Sequence, residues 1–297
     1  MKNNLSKLIV VLGPTASGKT ALAIQLAKKF NGEIVNADSR AIYREMKVAT
    51  ARPKIKEGGV RHHLVNFVQP DQDFSLAEYK ELAIKKVSEI IKRGKRPFLV
   101  GGTWLYISAV VDNLDIPQVA PNKKFREKMY KINSKILYKR LLKADPEAAK
   151  KIHENDKRRI IRALEVIHFS GKKMSEQQQK SAPIFNVLKI GIKRDLDEVE
   201  RRVRERIKKE MGEGLIRETR KLLKKYSLKL PAMSSLGYRE MGEYLTEKLS
   251  KVEAYELLAK NTRRFARYQL NTFRQDKKIK WVKDIKDAEK RIDKFLK

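Results

Sequence analysis

Short apolar runs alternate with stretches of helical period over the first third of the chain. LIVVL (8–12) is apolar throughout, as a strand buried on both faces would be, and GPTASG follows it as a turn. From about Lys19 to Phe30 the period changes: Leu22, Leu26 and Phe30 stand four apart with Ala23 and Ala27 beside them, and Gly32 marks the stop. EIVNAD (33–38) and PFLVGG (97–102) predict two more strands, and the amphipathic stretch 75–92 predicts a helix between them. HHLVNFV (62–68) is a possible further strand. Strand, loop and helix recurring in this order is the pattern of a parallel sheet wrapped by helices.

Asn113 opens a different regime. DNLDIPQVAPNKK is punctuated by prolines, and 123–180 reads as nearly all helix, rich in Lys and Arg, which predicts an all-helical insertion. NVLKIGIK (186–193) returns to strand character, helices follow at about 196–225 and 251–275, and the Lys-rich tail from about 283 reads as a frayed helix. The expected division is a core begun in residues 1–112, a helical insertion over 113–185, and the core completed by 186–297 with its C-terminal helices. No internal repeat or low-complexity tract interrupts it.

Charge adds a partner to this picture. The 297 residues carry 69 Lys+Arg against 36 Asp+Glu, a formal +33, for which a polyanion is the default counterpart. Residues 1–112 hold 19 basic and 10 acidic side chains, leaving 50 and 26 for the remaining 185, so the excess grows downstream. A Lys-rich or heat-adapted surface would raise the same count. The absence of cysteine removes disulfides, thiolate zinc sites and cysteine nucleophiles, so any catalysis must use oxygen, nitrogen or a bound cation. The LIVVL run is far short of the roughly 20 residues a membrane span needs, and no signal-peptide cleavage pattern opens the chain; a cytoplasmic protein without membrane association is expected.

GPTASGKT (13–20) lies between a predicted strand and a predicted helix, where a phosphate-binding loop belongs. Gly13 and Gly18 let backbone N–H groups wrap a phosphate at the helix's positive end, Lys19 supplies a point charge, and Thr20 a hydroxyl for Mg²⁺. The fold class expected is therefore α/β, a P-loop parallel sheet with flanking helices carrying the helical insertion. Nucleotide hydrolases usually pair such a loop with a strand ending in Asp, whereas PFLVGGTWLY (97–106) ends in two glycines and Thr103. The acid stands on the earlier strand as Asp38, either to ligate Mg²⁺ or accept a proton, or to cap a helix beginning near Ser39.

Arginines cluster at helical spacing. Arg159 and Arg162 share a face behind a predicted N-cap at Asp156, with Ile160, Ile161 and Leu164 inward; Arg202 and Arg206 flank a core stripe of Val199, Val203, Ile207 and Met211. Each is a binding face or a solvated one. NTRRFARYQLNTFR (261–274) interleaves arginines with Phe265, Tyr268 and Phe273, a mix suited to neutralising a nucleic-acid backbone and stacking on bases. His62 and His63 have no acidic partner at metal-ligand spacing and read as structural.

Together these residues resemble a family. GPTASGKT, NADS followed by Tyr43, VATARP (48–53), HHL (62–64), FSLAEY (74–79), LVGGTWLY (99–106), NDKRRIIRALEV (155–166), SGK (170–172) and LGYREM (236–241) stand in the order found in tRNA dimethylallyltransferases. The resemblance implies that Gly13, Pro14, Thr15, Ala16, Ser17, Gly18, Lys19 and Thr20 hold the diphosphate of dimethylallyl diphosphate, with Mg²⁺ on Thr20, and that Arg202 joins this grip. It also implies that Asp38 is the general base on the adenine amino group and that Thr103 contacts the reacting nucleotide. Asp38, Ser39, Arg40 and Ala41, with Arg126 and Arg158, Arg159, Ile160, Ile161 and Arg162, are implied to line the site for the tRNA anticodon stem-loop. The expected enzyme is a monomer that prenylates the N6 amino group of the adenosine 3′ of the anticodon and releases diphosphate. Ala41 stands where many members carry Gln, and Tyr268, Asn271 and Thr272 replace an expected Arg, Thr and Trp.

Two other readings share parts of this pattern. A small-molecule kinase or adenylate isopentenyltransferase would use the loop and the Asp but needs no large RNA surface, which the downstream charge argues against. An RNA-binding ATPase or chaperone would show RNA-stimulated ATP hydrolysis, which the missing acid after PFLV argues against.

Overall fold

The computed structural model describes residues 5–177 and 180–297, which divide into two compact units, one up to Val110 and from Ile184 onward, the other Val111–Pro183. The first unit opens with β1 (Lys7–Leu12), α1 (Lys19–Lys29), β2 (Gly32–Asn36), β3 (Lys56–Glu57), β4 (Val60–His63), α2 (Leu76–Lys92), β5 (Arg96–Gly101) and α3 (Trp104–Val111). The second holds α4 (Lys123–Tyr130), α5 (Ser134–Ala144), α6 (Pro146–Lys151), α7 (Lys157–Ser170) and α8 (Met174–Gln177). The first unit resumes with β6 (Asn186–Ile192), α9 (Leu196–Gly212), α10 (Leu215–Leu223), α11 (Tyr238–Leu245), α12 (Lys251–Arg274), β7 (Lys280–Val282) and α13 (Ile285–Leu296).

The sheet runs β3-β4-β2-β5-β1-β6-β7, and every pairing is parallel except β3 with β4. β1 is central, which is why LIVVL carries no polar residue: both its faces are covered. One layer packs Ile9, Val11, Ile34 and Phe98 against Leu26 of α1 and Ile292 of α13. Another joins Val199, Val203 and Ile207 of α9 to Tyr238, Met241 and Leu258 of α11 and α12. Each of these buried aliphatic side chains is worth about 1.5–3 kcal/mol over exposure. The register Leu12↔Gly101 and Asn36↔Val100 brings the carboxyl ends of β1, β2 and β5 level, so the loops that follow them emerge side by side.

Several elements differ from the sequence expectation. The helix expected over 196–225 is two, because Gly214 takes φ 95°, a left-handed geometry that ends one helix and starts the next. HHLVNFV is strand only to His63, since Leu64 and Asn66 adopt positive φ; β4 instead begins earlier, in a hairpin with β3. The tail is an ordered helix, α13, capped by Asp284 and buried through Ala288 and Ile292, and β7 adds a strand before it. In the second unit, Leu137, Leu141, Ala148, Ala149, Ile160, Ile161 and Ala163 form a core of their own.

His63 and His62 lie inside the sheet. His63 Nε2 sits 2.6 Å from Glu33 Oε2, and the buried Glu33 carboxylate also accepts from Arg93 and Lys95, each at 2.8 Å. Burial raises the Glu33 pKa, but the hydrogen bonds from Lys95, His63 and Arg93 outweigh it and hold the carboxyl at about 2, below its ordinary 4.5. A carboxyl depressed in the folded state stabilises it fully above the unfolded value and loses that contribution as pH falls through the folded value. Denaturation midpoints of the wild type are therefore expected to fall between pH 4.5 and about 2, and Glu33→Gln to remove that component while lowering the midpoint at neutral pH.

Candidate functional site

The loop after β1 is shaped for an anion. Ala16 (φ 60°) and Gly18 (φ 87°) are left-handed on either side of Ser17, an alternation that turns successive N–H groups inward, and α1 begins directly after at Lys19. Ser17 Oγ is buried without a hydrogen-bond partner. Lys19 Nζ reaches back to the Pro14 carbonyl at 3.3 Å. Burial of this ammonium lowers its pKa from 10.5 to about 8, against the pull of the Asp38 carboxylate and helped by repulsion from Arg206. Lys19 thus feels both the Asp38 carboxylate and the Arg206 guanidinium, and Arg206 is itself tied to the loop at Thr15.

Asp38 stands just past the end of β2. Asn36 brackets it, its Nδ2 donating to the Asp38 carbonyl at 2.9 Å and its Oδ1 accepting from the Asp38 N–H at 3.1 Å. Asp38 Oδ1 accepts from the Arg40 N–H at 2.9 Å, so it closes a turn; no helix starts at Ser39. Thr103, just past β5, accepts from the Ser39 N–H at 3.0 Å and donates to Ser39 Oγ at 3.3 Å, so its hydroxyl ties the β5 turn to the Asp38 turn. Arg40 is held by the Pro231 carbonyl at 2.7 Å, and Ala41 turns its side chain into the core.

Arg202, implied to join the diphosphate grip, lies beside the end of the loop. Glu198 holds its Nε at 2.9 Å, and Gly18, Arg194 and Arg202 line one cleft of about 300 Å³. The neighbouring Arg206 is a residue to which helical spacing gave no role of its own. It donates to Thr15 Oγ1 and to the Ala49 carbonyl, each at 2.8 Å, and pairs with the buried Glu210 at 2.6 Å. Gln269, equally without a role in the sequence pattern, bonds the loop from α12. The available signal was a polar residue at core spacing on a helix.

Within the second unit, the implied tRNA residues divide. Arg158 and Arg159 are exposed on α7, Arg159 within 3.3 Å of Asp156, the N-cap. Arg126 and Arg162 both pair with the fully buried Glu165, at 2.7 and 2.8 Å, and Arg162 also donates to the Val119 carbonyl. Burial raises the Glu165 pKa, but Arg126, the Asn122 N–H and Arg162 outweigh it and hold the carboxyl below its ordinary range. The implied placement of Ile160 and Ile161 in the RNA site does not extend to their side chains, which are 0% and 1% exposed in the core. On α12, Phe273 is buried, while Phe265 and Tyr268 stand exposed beside Arg264 and Arg267.

Among the described residues, no helix is long and apolar enough to cross a membrane, and no three or more His, Asp or Glu side chains gather as a metal site. Residues 41–276 match the family model described as IPP transferase. The chain is 43% identical over 285 residues to the tRNA dimethylallyltransferase of Halothermothrix orenii, covering 93% of this chain and 87% of that one. It is 42% identical over 306 aligned positions to that of Thermoanaerobacter sp. strain X514, covering 98% and 97%. Its fold is similar to the crystal structure of the full-length tRNA isopentenylpyrophosphate transferase from Bacillus halodurans, with a TM-score of 0.73 and 34% identity over 98% of this chain and 95% of that one. A eukaryotic dimethylallyltransferase acting on tRNA gives a TM-score of 0.77 and 28% identity over 90% of this chain and 69% of that one. With a P-loop after β1, Asp38 just past β2 and a family match over most of its length, this chain belongs to the tRNA dimethylallyltransferase (IPP transferase) family.

Proposed function

We propose that this chain transfers the dimethylallyl group of dimethylallyl diphosphate to N6 of the adenosine immediately 3′ of the anticodon. The observation that carries this reading is the meeting of the phosphate loop, the Asp38 carboxylate and the Thr103 turn at the carboxyl ends of adjacent strands. Adenine's amino lone pair is delocalised into the ring, so the base must remove a proton as the nitrogen attacks. The N6–C1 bond forms, the C1–oxygen bond breaks, diphosphate leaves with that electron pair, and the amino proton passes to Asp38. Loop N–H groups, Lys19 and Arg202 stabilise the charge gathering on the diphosphate. Extruding the base from the anticodon loop brings N6 within reach.

Thr20, in the first turn of α1 with its side chain partly accessible, would offer its hydroxyl to a Mg²⁺, an ion that proteins usually hold through few side chains together with substrate phosphates. Bound there, the ion would neutralise leaving-group charge. One chain supplies every named group, so a monomer suffices, acting on tRNA in the cytoplasm. Mass spectrometry of nucleosides from tRNA incubated with the protein and dimethylallyl diphosphate tests the reading. AMP, ADP and an anticodon stem-loop offered side by side must yield prenylation of the stem-loop; preference for AMP or ADP would overturn it.

The exposed Arg159 and the loop-side Arg202 have different expected traces. Arg159→Ala should weaken tRNA binding and flatten its salt dependence, by about 0.7–0.9 in slope for each phosphate left without its cation. Arg202→Ala should lower turnover at saturating tRNA, because its hold on the diphosphate strengthens as that group departs. Affinity against salt and single-turnover rates for both variants decide it. Normal turnover with weakened tRNA binding in Arg202→Ala would place that residue on the RNA instead.

A further inference from the structure

We propose that Gln269 is a positioning residue that sets the spacing between the diphosphate-holding loop and the turn carrying Thr103. The inference rests on the prenyl-transfer reading of that site. Gln269 is 5% exposed on the buried face of α12, with Ala266, Leu270 and Phe273. Its Oε1 accepts from the Thr15 N–H and its Nε2 donates to the Gly102 carbonyl, each at 2.8 Å. The partners fix the orientation of the amide, because a backbone N–H can only donate and a carbonyl only accept. A neutral carboxamide is the group that meets both demands; a carboxylate presents two acceptors and an aliphatic chain neither.

The fit at Gly102 is close. A Cβ there would lie 2.4 Å from Gln269 Nε2, so the position admits glycine only while the amide is in place. From Gly102 the connection continues through Thr103 to Ser39 and the Asp38 turn. One side chain therefore joins the loop proposed to hold the electrophile to the Thr103 turn, which is itself bonded to the turn of the base. Misplacing reacting groups by about 1 Å can cost on the order of 10²-fold in rate.

Gln269→Leu is expected to raise the Kd for inorganic diphosphate at least tenfold and to lower the single-turnover rate on an anticodon stem-loop by about 10–100-fold. Its tRNA affinity should stay within about twofold of wild type, because Gln269 is buried, uncharged and bonded through both amide atoms to backbone. Gln269→Glu gives a signature that a stability role alone does not: a protonated carboxyl has the same acceptor and donor as the amide. Its diphosphate affinity, taken as a ratio to wild type at each pH, should recover as pH falls through the pKa of the new carboxyl. Gly102→Ala, which crowds the amide from the other side, should reproduce the Gln269→Leu effect. Calorimetry with inorganic diphosphate and circular dichroism of each variant supply the measurements. A wild-type Kd and rate in Gln269→Leu, or a pH-independent ratio in folded Gln269→Glu, would overturn the proposal. Loss of folding in all three variants would also overturn it, by assigning Gln269 to stability alone. Failure of the wild type to prenylate the stem-loop would instead sink the functional reading, leaving the diphosphate titrations to judge Gln269.

Discussion

Replacing Asp38 with asparagine is expected to slow transfer from the assembled complex of enzyme, prenyl diphosphate and tRNA by about 10²–10⁴-fold, the range of a general base. Asparagine suits this experiment because it preserves the local structure. Its carbonyl can still accept from the Arg40 N–H, and Asn36 still brackets the backbone on both sides. What disappears is the basic oxygen and the negative charge. Arg40 takes one of the carboxylate's roughly four acceptor sites, so capacity remains for an amino proton. tRNA affinity should be nearly unchanged, since removing an acid takes no cation away from the phosphates. Single-turnover rates with both substrates saturating, beside tRNA binding, make the comparison. Wild-type turnover in Asp38→Asn would remove the general-base role and leave Asp38 as a turn-forming residue that also attracts Lys19.

Glu165→Ala is expected to destabilise the 111–183 unit by about 3 kcal/mol, the low end for breaking a buried ion pair because the two arginines keep some solvent. The carboxylate is fully buried and accepts from Arg126, Arg162 and the Asn122 N–H. Removing it strands two guanidinium groups and a backbone donor together. The sign with pH follows from its depressed pKa: the contribution is complete above the unfolded carboxyl value and is lost as pH falls through the lower folded one. Urea unfolding with proteolysis mapped to residues 111–183 provides the measurement. Unchanged stability of that unit would show that the ion pairs of Arg126 and Arg162 with Glu165 contribute nothing net to its fold. The same geometry explains why Arg162→Ala alone is a poor probe of RNA binding, since it destabilises the unit at the same time as it removes a cation.

The P-loop and its acid were legible in the chain because they are local. GPTASGKT lies between an apolar run and a helical period, and each of its roles belongs to a residue type at a spacing within eight positions. Strands β1, β2 and β5 were readable for a related reason: burial on both faces leaves apolar segments that periodicity detects without knowing the neighbours. The helical insertion was marked by prolines before it and strand character after it, with expected limits of 113 and 185 against the observed 111 and 183.

Other features depended on partners far away in sequence. α13 looked like a frayed Lys-rich tail, and only packing against α1 and the sheet orders Ala288 and Ile292. Arg206 and Gln269 had nothing local to distinguish them from a surface cation and a misplaced polar residue. Their roles appear when α9 and α12 reach Thr15, 191 and 254 residues away in sequence. Arg162 is a mixed case: its partner Glu165 stands one turn further along α7, within reach of helical spacing, while the Val119 carbonyl and the second arginine on Glu165, Arg126, come to it only through tertiary structure. The sequence by itself determined the chemistry available at the phosphate loop and the class of fold that carries it. Tertiary structure decided which distant polar groups meet there, because hydrogen bonds and ion pairs are short-range and directional whereas apolar periodicity records burial alone.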